Sequence, residues 1–234
     1  MLLGCLWENI GMPEEEELLT KSAYDTVANV YADHFRSTEP ENPLELAMID
    51  HFVDLVPSPR RVLDAGCGAG RMLPHLAARG CQPMGIDLSG EMIRRASLDH
   101  PEFPCRVGSL THIEEETASF DGVFSWYSTI HNPDVDLDVM LTEMTRVLRP
   151  GGVLLIAFQV GAGMRRVGQA FENLGYDIVM NRYHRSSEDM VTRLVQQGLD
   201  VLARLEREPV GAEADPQAVL VAQKPHSSEQ SAPS

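Results

Sequence analysis

Asp87 closes the apolar run Pro83-Met84-Gly85-Ile86, and seventeen positions before it stands the last glycine of Val62-Leu63-Asp64-Ala65-Gly66-Cys67-Gly68-Ala69-Gly70-Arg71. A carboxylate offers two acceptor oxygens, so an acid in that place can grip the two adjacent hydroxyls of a ribose. The glycines suit a turn whose backbone comes close to a ligand, followed by a helix whose first amides lack intrahelical partners. The spacing also separates ligand classes. A hydride-carrying dinucleotide enzyme wants Gly-x-Gly-x-x-Gly, and the position of its third glycine holds Arg71. This disfavours an NAD(P)-dependent oxidoreductase. A ligand without phosphates needs close backbone approach more than an anion cradle, which is what Gly-x-Gly-x-Gly provides.

This loop, with Asp87, resembles motif I of the class I S-adenosylmethionine-dependent methyltransferases. The run Asp87-Leu88-Ser89-Gly90-Glu91-Met92 looks like the second signature of that family. The resemblance implies S-adenosyl-L-methionine as cofactor and S-adenosyl-L-homocysteine as product. It implies cofactor contacts from Tyr31, Asp64, Gly66, Cys67, Gly68, Arg71, Asp87, Leu88, Met92, Ser109, Leu110, Ser125 and Trp126. Asp87 would accept both ribose hydroxyls, with Leu88 and Met92 against adenine. The family usually has an aspartate at position 109; Ser109 can still accept a hydrogen bond, without the charge. A narrower likeness is to small-molecule methyltransferases related to the quinone-biosynthesis C-methyltransferases. It rests on Tyr24-Asp25-x-x-Ala28-x-x-Tyr31, Trp126-Tyr127-Ser128-Thr129-Ile130-His131, Ala157-Phe158-Gln159-Val160-Gly161, Arg207-Glu208-Pro209 and Pro216-Gln217-Ala218.

That likeness implies methyl transfer to oxygen, nitrogen or carbon of a small organic acceptor in biosynthesis. Candidate acceptor contacts are Tyr24, Tyr127, His131, Gln159 and Tyr183. His131 is the candidate general base, since an imidazole with an ordinary pKa of ~6.5 is neutral at physiological pH. An equal reading has it cap the helix after Asn132-Pro133. Methyl transfer also needs little help from a base, because placing the nucleophile in line at about 3–3.5 Å supplies much of the rate. A fold of this kind that binds the cofactor without methylating, as a cyclase, a decarboxylase or a binding module, stays open.

A chain of 234 residues with 43% hydrophobic content suffices for one catalytic α/β unit. Its formal charge of -16, partly in Glu14 to Glu17, opposes phosphate backbones, so nucleic acid is not an expected partner. The four cysteines at 5, 67, 81 and 105 form no Cys-x-x-Cys pair and sit beside no histidine at ligand spacing. Free thiols and no metal are expected. No stretch of 18 apolar residues calls for a membrane span. The expectation is a cytoplasmic monomer or homodimer.

The elements that must position these residues follow from the pattern. Residues 1–42 read as a helical cap with Tyr24 and Tyr31 on one face, and 43–225 as a Rossmann-like α/β domain. Seven strands, mostly parallel with the last antiparallel, are expected at Arg61 to Ala65, Pro83 to Asp87, Phe103 to Gly108, Phe120 to Ser125, Val153 to Phe158, Asp200 to Arg207 and Gln217 to Lys224. Helices are expected over Leu44 to Leu55, Gly70 to Arg79, from a Ser89 cap to Asp99, Asp134 to Leu148, and from Ser186 or Ser187 to Gln197. An insertion at about 160–186 follows strand five, where periodicity fades and glycines gather, as a mobile cover. The serine-rich stretch 226–234 is expected to be disordered.

Overall fold

The computed structural model describes residues 13–38, 41–172, 175–211 and 213–226. The expectations for residues 1–12, with Cys5, for the turn at Glu39-Pro40, and for a disordered 227–234 lie outside the described residues. The chain runs through α1 (Pro13–His34), α2 (Pro43–Leu55), β1 (Arg61–Ala65), α3 (Leu73–Ala77), β2 (Gln82–Asp87), α4 (Gly90–Asp99), β3 (Cys105–Val107) and β4 (Phe120–Trp126). It continues through α5 (Asp134–Val147), β5 (Leu148–Gln159), β6 (Gly163–Val167), α6 (Gln169–Glu172), β7 (Met180–His184), α7 (Ser187–Gln196), β8 (Asp200–Arg207) and β9 (Gln217–Gln223).

Seven strands form one sheet in the order β3-β2-β1-β4-β5-β9-β8. β9 runs antiparallel to both β5 and β8, and the other pairs are parallel. The Rossmann-like reading is borne out, with the order reversing between β1 and β4, where ligands of such sheets bind. Central strands of a parallel sheet are covered on both faces and read as continuous apolar runs. β5 shows this: Leu154, Ile156 and Phe158 pack with Leu137, Leu141 and Met144 of α5 and Met190 and Leu194 of α7. Val153, Leu155 and Ala157 pack on the other face with Ile49, Phe52 and Val53 of α2. Each such large side chain taken from water stabilises the fold by about 1.5–3 kcal/mol.

Three expected elements differ. The helix after the glycine turn is only Leu73–Ala77, because hydrogen-bonded turns from Cys67 to Gly70 and from Gly70 to Leu73 come first, before Pro74 allows a helix to begin. β3 shrinks to Cys105–Val107, an edge strand held by β2 alone. β5 starts at Leu148, where α5 ends, and carries the Arg149-Pro150-Gly151-Gly152 turn within it. The insertion is also more ordered than its composition suggested: β6 and β7 pair antiparallel as a separate hairpin that packs under α1. Its strands are exposed or half-buried along most of their length, so they carry no alternating apolar signal.

Asn42 caps α2, its side chain accepting from Leu44 N at 2.9 Å while its own amide donates to Glu45 Oε2 at 3.3 Å. Glu45 is buried and its Oε1 accepts from Arg207 Nη2 at 2.7 Å and Tyr127 OH at 3.1 Å. One carboxylate therefore ties α2, the end of β8 and the segment after β4 together. Removing one partner of a buried ion pair strands the other charge, at a cost of about 3–5 kcal/mol. Arg207→Ala is accordingly expected to lose that much stability in urea denaturation. Adding Glu45→Gln is expected to restore part of it, since no buried charge then remains unpaired.

Candidate functional site

The crevice lies at the carboxyl ends of β1, β2 and β4. β1 delivers Asp64, which is 1% exposed and whose Oδ2 has no hydrogen-bond partner. Burial, reinforced by Cys105 and Asp87 nearby, pushes its carboxyl well above the usual range. The turn that follows folds back on β2, with Gly66 N and Cys67 N both donating to Ile86 O at 2.8 and 2.9 Å. Gly66 has φ +84°, and a Cβ there would stand 2.2 Å from Ser128 Cβ, so the segment after β4 seats directly on this glycine. Gly68 has φ +55°, and nothing lies within 4 Å of the place a Cβ would take. That open space beside the turn is where a ligand can lie on backbone.

Asp87 binds the turn to the next helix. Its Oδ2 accepts from Gly68 N at 2.8 Å and its Oδ1 from Ser89 N at 2.9 Å. Burial raises its pKa and these amides oppose the rise. Each oxygen keeps a further lone pair for a donor from a ligand. Ser89 caps α4, accepting from Met92 N at 3.1 Å.

α1 covers this end of the sheet. Asp25 Oδ1 accepts from Ser89 Oγ at 2.6 Å and Glu91 N at 3.2 Å, an acid set against the amino end of α4. Met92 is buried between Ala28 and Ala32 of α1 and Ala69 of the turn, so the cap helix covers one of the two residues expected against adenine. Leu88 is half-buried beside it. Tyr31 stands edge-on to Tyr24, with ring centres 5.9 Å apart, and burial raises both hydroxyl pKa values.

Tyr24 OH lies 3.1 Å from His131 Nε2, and His131 Nδ1 lies 2.7 Å from Asn181 O. A carbonyl only accepts, so Nδ1 carries the proton and Nε2 presents a lone pair to Tyr24. Burial depresses the His131 pKa to about 4, with Arg182 adding to the effect and the Asn181 carbonyl opposing it. The equal reading of His131 as a helix cap is not what the contacts show: α5 begins after Pro133 with no side-chain cap. Glu16 of α1 accepts from Asn181 Nδ2 at 2.8 Å and Tyr183 OH at 3.1 Å, fastening the β6–β7 hairpin to the cap.

Other expected contacts are spent elsewhere. Arg71 pairs with Glu41 and lies over Phe35, with its guanidinium carbon 5.7 Å from the ring centre, which holds the α1–α2 connection shut. Ser109 Oγ accepts from Thr111 N at 3.1 Å and closes its own turn, while Leu110 joins the core. Ser125 is buried and bonded to Ser128 Oγ at 2.8 Å. Trp126 stacks on Phe124 at 5.5 Å against α2, with Nε1 buried and without a partner. Tyr127 takes φ +55° and gives its hydroxyl to Glu45. Gln159 ends β5 with a buried, unpartnered Oε1.

Glu16, Asp25, Asn181 and Arg182 were not singled out from the sequence. Asp25 stood inside the Tyr24-to-Tyr31 pattern, and that was the available signal; the hairpin residues had none, because β7 lacks alternation. An open concavity of about 530 Å³ lined by Pro59, Arg61, Asp121 and Arg149 lies where the strands begin, at the wrong end of the sheet for this chemistry. No group of histidine, cysteine and acidic side chains among the described residues is arranged to hold a metal ion. No described helix is long and apolar enough to cross a membrane.

The crevice thus gathers the carboxyls of Asp64 and Asp87, whose pKa values burial raises, and α1 sets Tyr24 on the neutral imidazole of His131. Comparison with known proteins gives the family and fold likeness. Residues 62–152 match the sequence model of a family described as Methyltransferase domain. The chain is 32% identical over 124 residues to the malonyl-(acyl-carrier protein) O-methyltransferase of Erwinia billingiae, covering 53% of this chain and 49% of that protein. It is 36% identical over 124 residues to the ubiquinone biosynthesis O-methyltransferase of Paracidovorax citrulli, covering 50% of each. The chain thus spans about half the length of the curated relatives it matches. In fold it is similar to the 1,6-didemethyltoxoflavin-N1-methyltransferase of Burkholderia thailandensis, solved with 1,6-didemethyltoxoflavin and S-adenosylhomocysteine, at TM-score 0.70 and 17% identity over 94% of this chain and 93% of that one. It is similar also to the (4+2)-cyclase SpnF, at TM-score 0.65 and 19% identity over 92% and 99%.

The depressed His131 pKa fixes a sign. Between 6.5 and about 4 the folded chain binds fewer protons at this site than the unfolded chain. Stability therefore falls as pH drops through that window and is unaffected by this group above it. His131→Gln, which keeps a donor and an acceptor, is expected to flatten that part of the stability profile in chemical denaturation. A variant as pH-sensitive there as the parent would refute the assignment.

Proposed function

On the premise that residues 62–152 form a methyltransferase domain, we propose that this chain is an S-adenosyl-L-methionine-dependent methyltransferase acting on a small organic acceptor, with oxygen the leading acceptor atom because both sequence relatives are O-methyltransferases. The observation that carries the reading is Asp87 at the end of β2, held by the amides of Gly68 and Ser89 and facing the open space beside Gly68. When bound, the cofactor supplies an electrophilic methyl group on a sulfonium.

The residues fit that group. Asp87 has lone pairs free for two ribose hydroxyls. The buried Oδ2 of Asp64, without a partner, is a polar atom left for a ligand's hydrogen bond. Leu88 offers apolar surface beside the ribose acid, while Met92 belongs to the seam with α1. Ser109 keeps its turn and Leu110 joins the core, so recognition of a base there falls to backbone.

Acceptor chemistry falls to the cap and the hairpin. His131 Nε2 is the proton acceptor for the attacking hydroxyl, and the Asn181 carbonyl keeps its tautomer. Tyr24 OH, now bonded to Nε2, shares that place with the acceptor and orients it. Glu16, Asn181 and Tyr183 hold the cover and keep water out. Gln159 and Arg182 supply further polar contacts. Free thiols at Cys67, Cys81 and Cys105 fit a reducing, cytoplasmic setting. A second reading is a cyclase that does not methylate; the (4+2)-cyclase SpnF has a similar fold.

Hydrogen bonds to a charged group contribute about 1.5–3 kcal/mol each. Asp87→Ala is therefore expected to weaken S-adenosylhomocysteine binding by calorimetry roughly 100-fold or more. His131→Gln is expected to keep that affinity and lower kcat by about 10²–10⁴, with labelled methyl from the cofactor traced into a metabolite library by mass spectrometry. Unchanged affinity in the first variant would refute the cofactor site. Tight binding with no labelled product would favour the second reading.

A further inference from the structure

Two thiols that the methyl-transfer reading leaves unused meet above Gly85. A Cβ built on that glycine would lie 2.6 Å from Cys67 Sγ and 3.1 Å from Cys105 Sγ. Any side chain on β2 at this point would drive the sulfurs apart; glycine leaves them a common space. The sheet explains how they arrive. Gly85 pairs with Asp64 on β1 and with Cys105 on β3, so β2 separates the two outer strands. Cys67 crosses back over that middle strand because its amide is drawn to Ile86 O at 2.9 Å. Cys105 comes up from the other side in register with Gly85.

The two sulfurs differ in access and character. Cys67 is buried and contacts Gly68 O at 3.6 Å, whereas Cys105 is half-buried on an edge strand that solvent reaches. The hydrogen bond with Cys105 and burial push the Cys67 thiol up, with Asp64 and Asp87 adding to it. The same hydrogen bond, with a Gly85 amide, draws Cys105 down. Cys105 is thus the more thiolate-like of the pair and the one an oxidant meets first. Cys81 takes no part, since it is buried in the cluster on the other face of the sheet with Val62 and Leu76.

We propose that Cys67 and Cys105 form a dithiol modification site that a peroxide converts to a disulfide, and that this cross-link closes the glycine turn to ligand. The step balances. The Cys105 sulfur attacks one peroxide oxygen, the O–O bond breaks, and Cys105 becomes a sulfenic acid as one water leaves. The Cys67 sulfur then attacks the sulfenic sulfur, the S–O bond breaks, and its oxygen leaves with the Cys67 proton as a second water. Two thiols have given two electrons to one peroxide. A disulfide holds its β-carbons about 3.8 Å apart, so the bond ties Cys67, and with it the flanking Gly66 and Gly68, to β3 and takes from the turn the freedom to receive a ligand. The closing effect rests on the cofactor reading above; the cross-link itself does not.

The test uses the full chain, with hydrogen peroxide as oxidant and S-adenosylhomocysteine as the calorimetric probe. Peptide mapping after alkylation is expected to show Cys67 joined to Cys105, reversed by dithiothreitol. Oxidised protein is expected to bind the probe at least about tenfold more weakly than reduced protein. Cys105→Ser, which lies outside the turn, is expected to bind as the reduced parent does and to lose the response to peroxide; Cys105→Ala repeats the comparison should serine disturb the strand. An oxidised chain without the 67–105 link, a link with unchanged affinity, or an equal loss in Cys105→Ser would overturn the proposal. Should the reduced chain not bind the probe at all, the cofactor reading fails separately, and the mapped link alone upholds or overturns the dithiol site.

Discussion

The Asp87 carboxylate holds the site together. It accepts from a turn amide on one oxygen and from the first residues of α4 on the other, so the glycine turn and the helix start are fixed to one anion at the end of β2. Burial makes that anion costly, and the amides offset the cost. The same bonds leave each of its oxygens a further lone pair. Around it, Asp25 does for the cap what Asp87 does for the turn. Both helix-start contacts meet at Ser89, whose amide is given to Asp87 and whose hydroxyl is given to Asp25. A single serine is the hinge point between sheet and cap.

A second anion organises the far side of the crevice. Glu45 caps its own helix, receives Arg207 from β8 and receives Tyr127 from the segment after β4. Tyr127 pays for this with a left-handed backbone, which costs a non-glycine residue of order 1–3 kcal/mol. In that conformation Ser128 drops onto Gly66 and His131 turns toward Tyr24. The clamp on Glu45 and the placement of His131 are two ends of one five-residue segment.

Legibility in the sequence followed the range of the interactions. β1, the turn, Asp87 and the Ser89 cap were readable because each carries its own residue pattern, although the contacts that join the turn to β2 span about twenty positions. Ser109 was readable as a turn former too, because Thr111 lies two positions on, yet the family resemblance drew attention to adenine instead. Tyr127 was not readable: the residues that turn it, Glu45 and Arg207, lie on elements 82 and 80 positions away in the chain. The β6–β7 hairpin was hidden for a different reason. It lies half in solvent under a helix, so no alternating pattern marks its strands, and its bonds to Glu16 span 165 and 167 positions.

α1 is one unbroken helix of 22 residues, roughly 33 Å long at 1.5 Å per residue. Its neighbours Tyr24 and Asp25 face different rooms, one toward His131 and the other toward α4. A rod of that kind cannot release one room and keep the other closed. Whatever reaches either room passes the same helix, so the two open together.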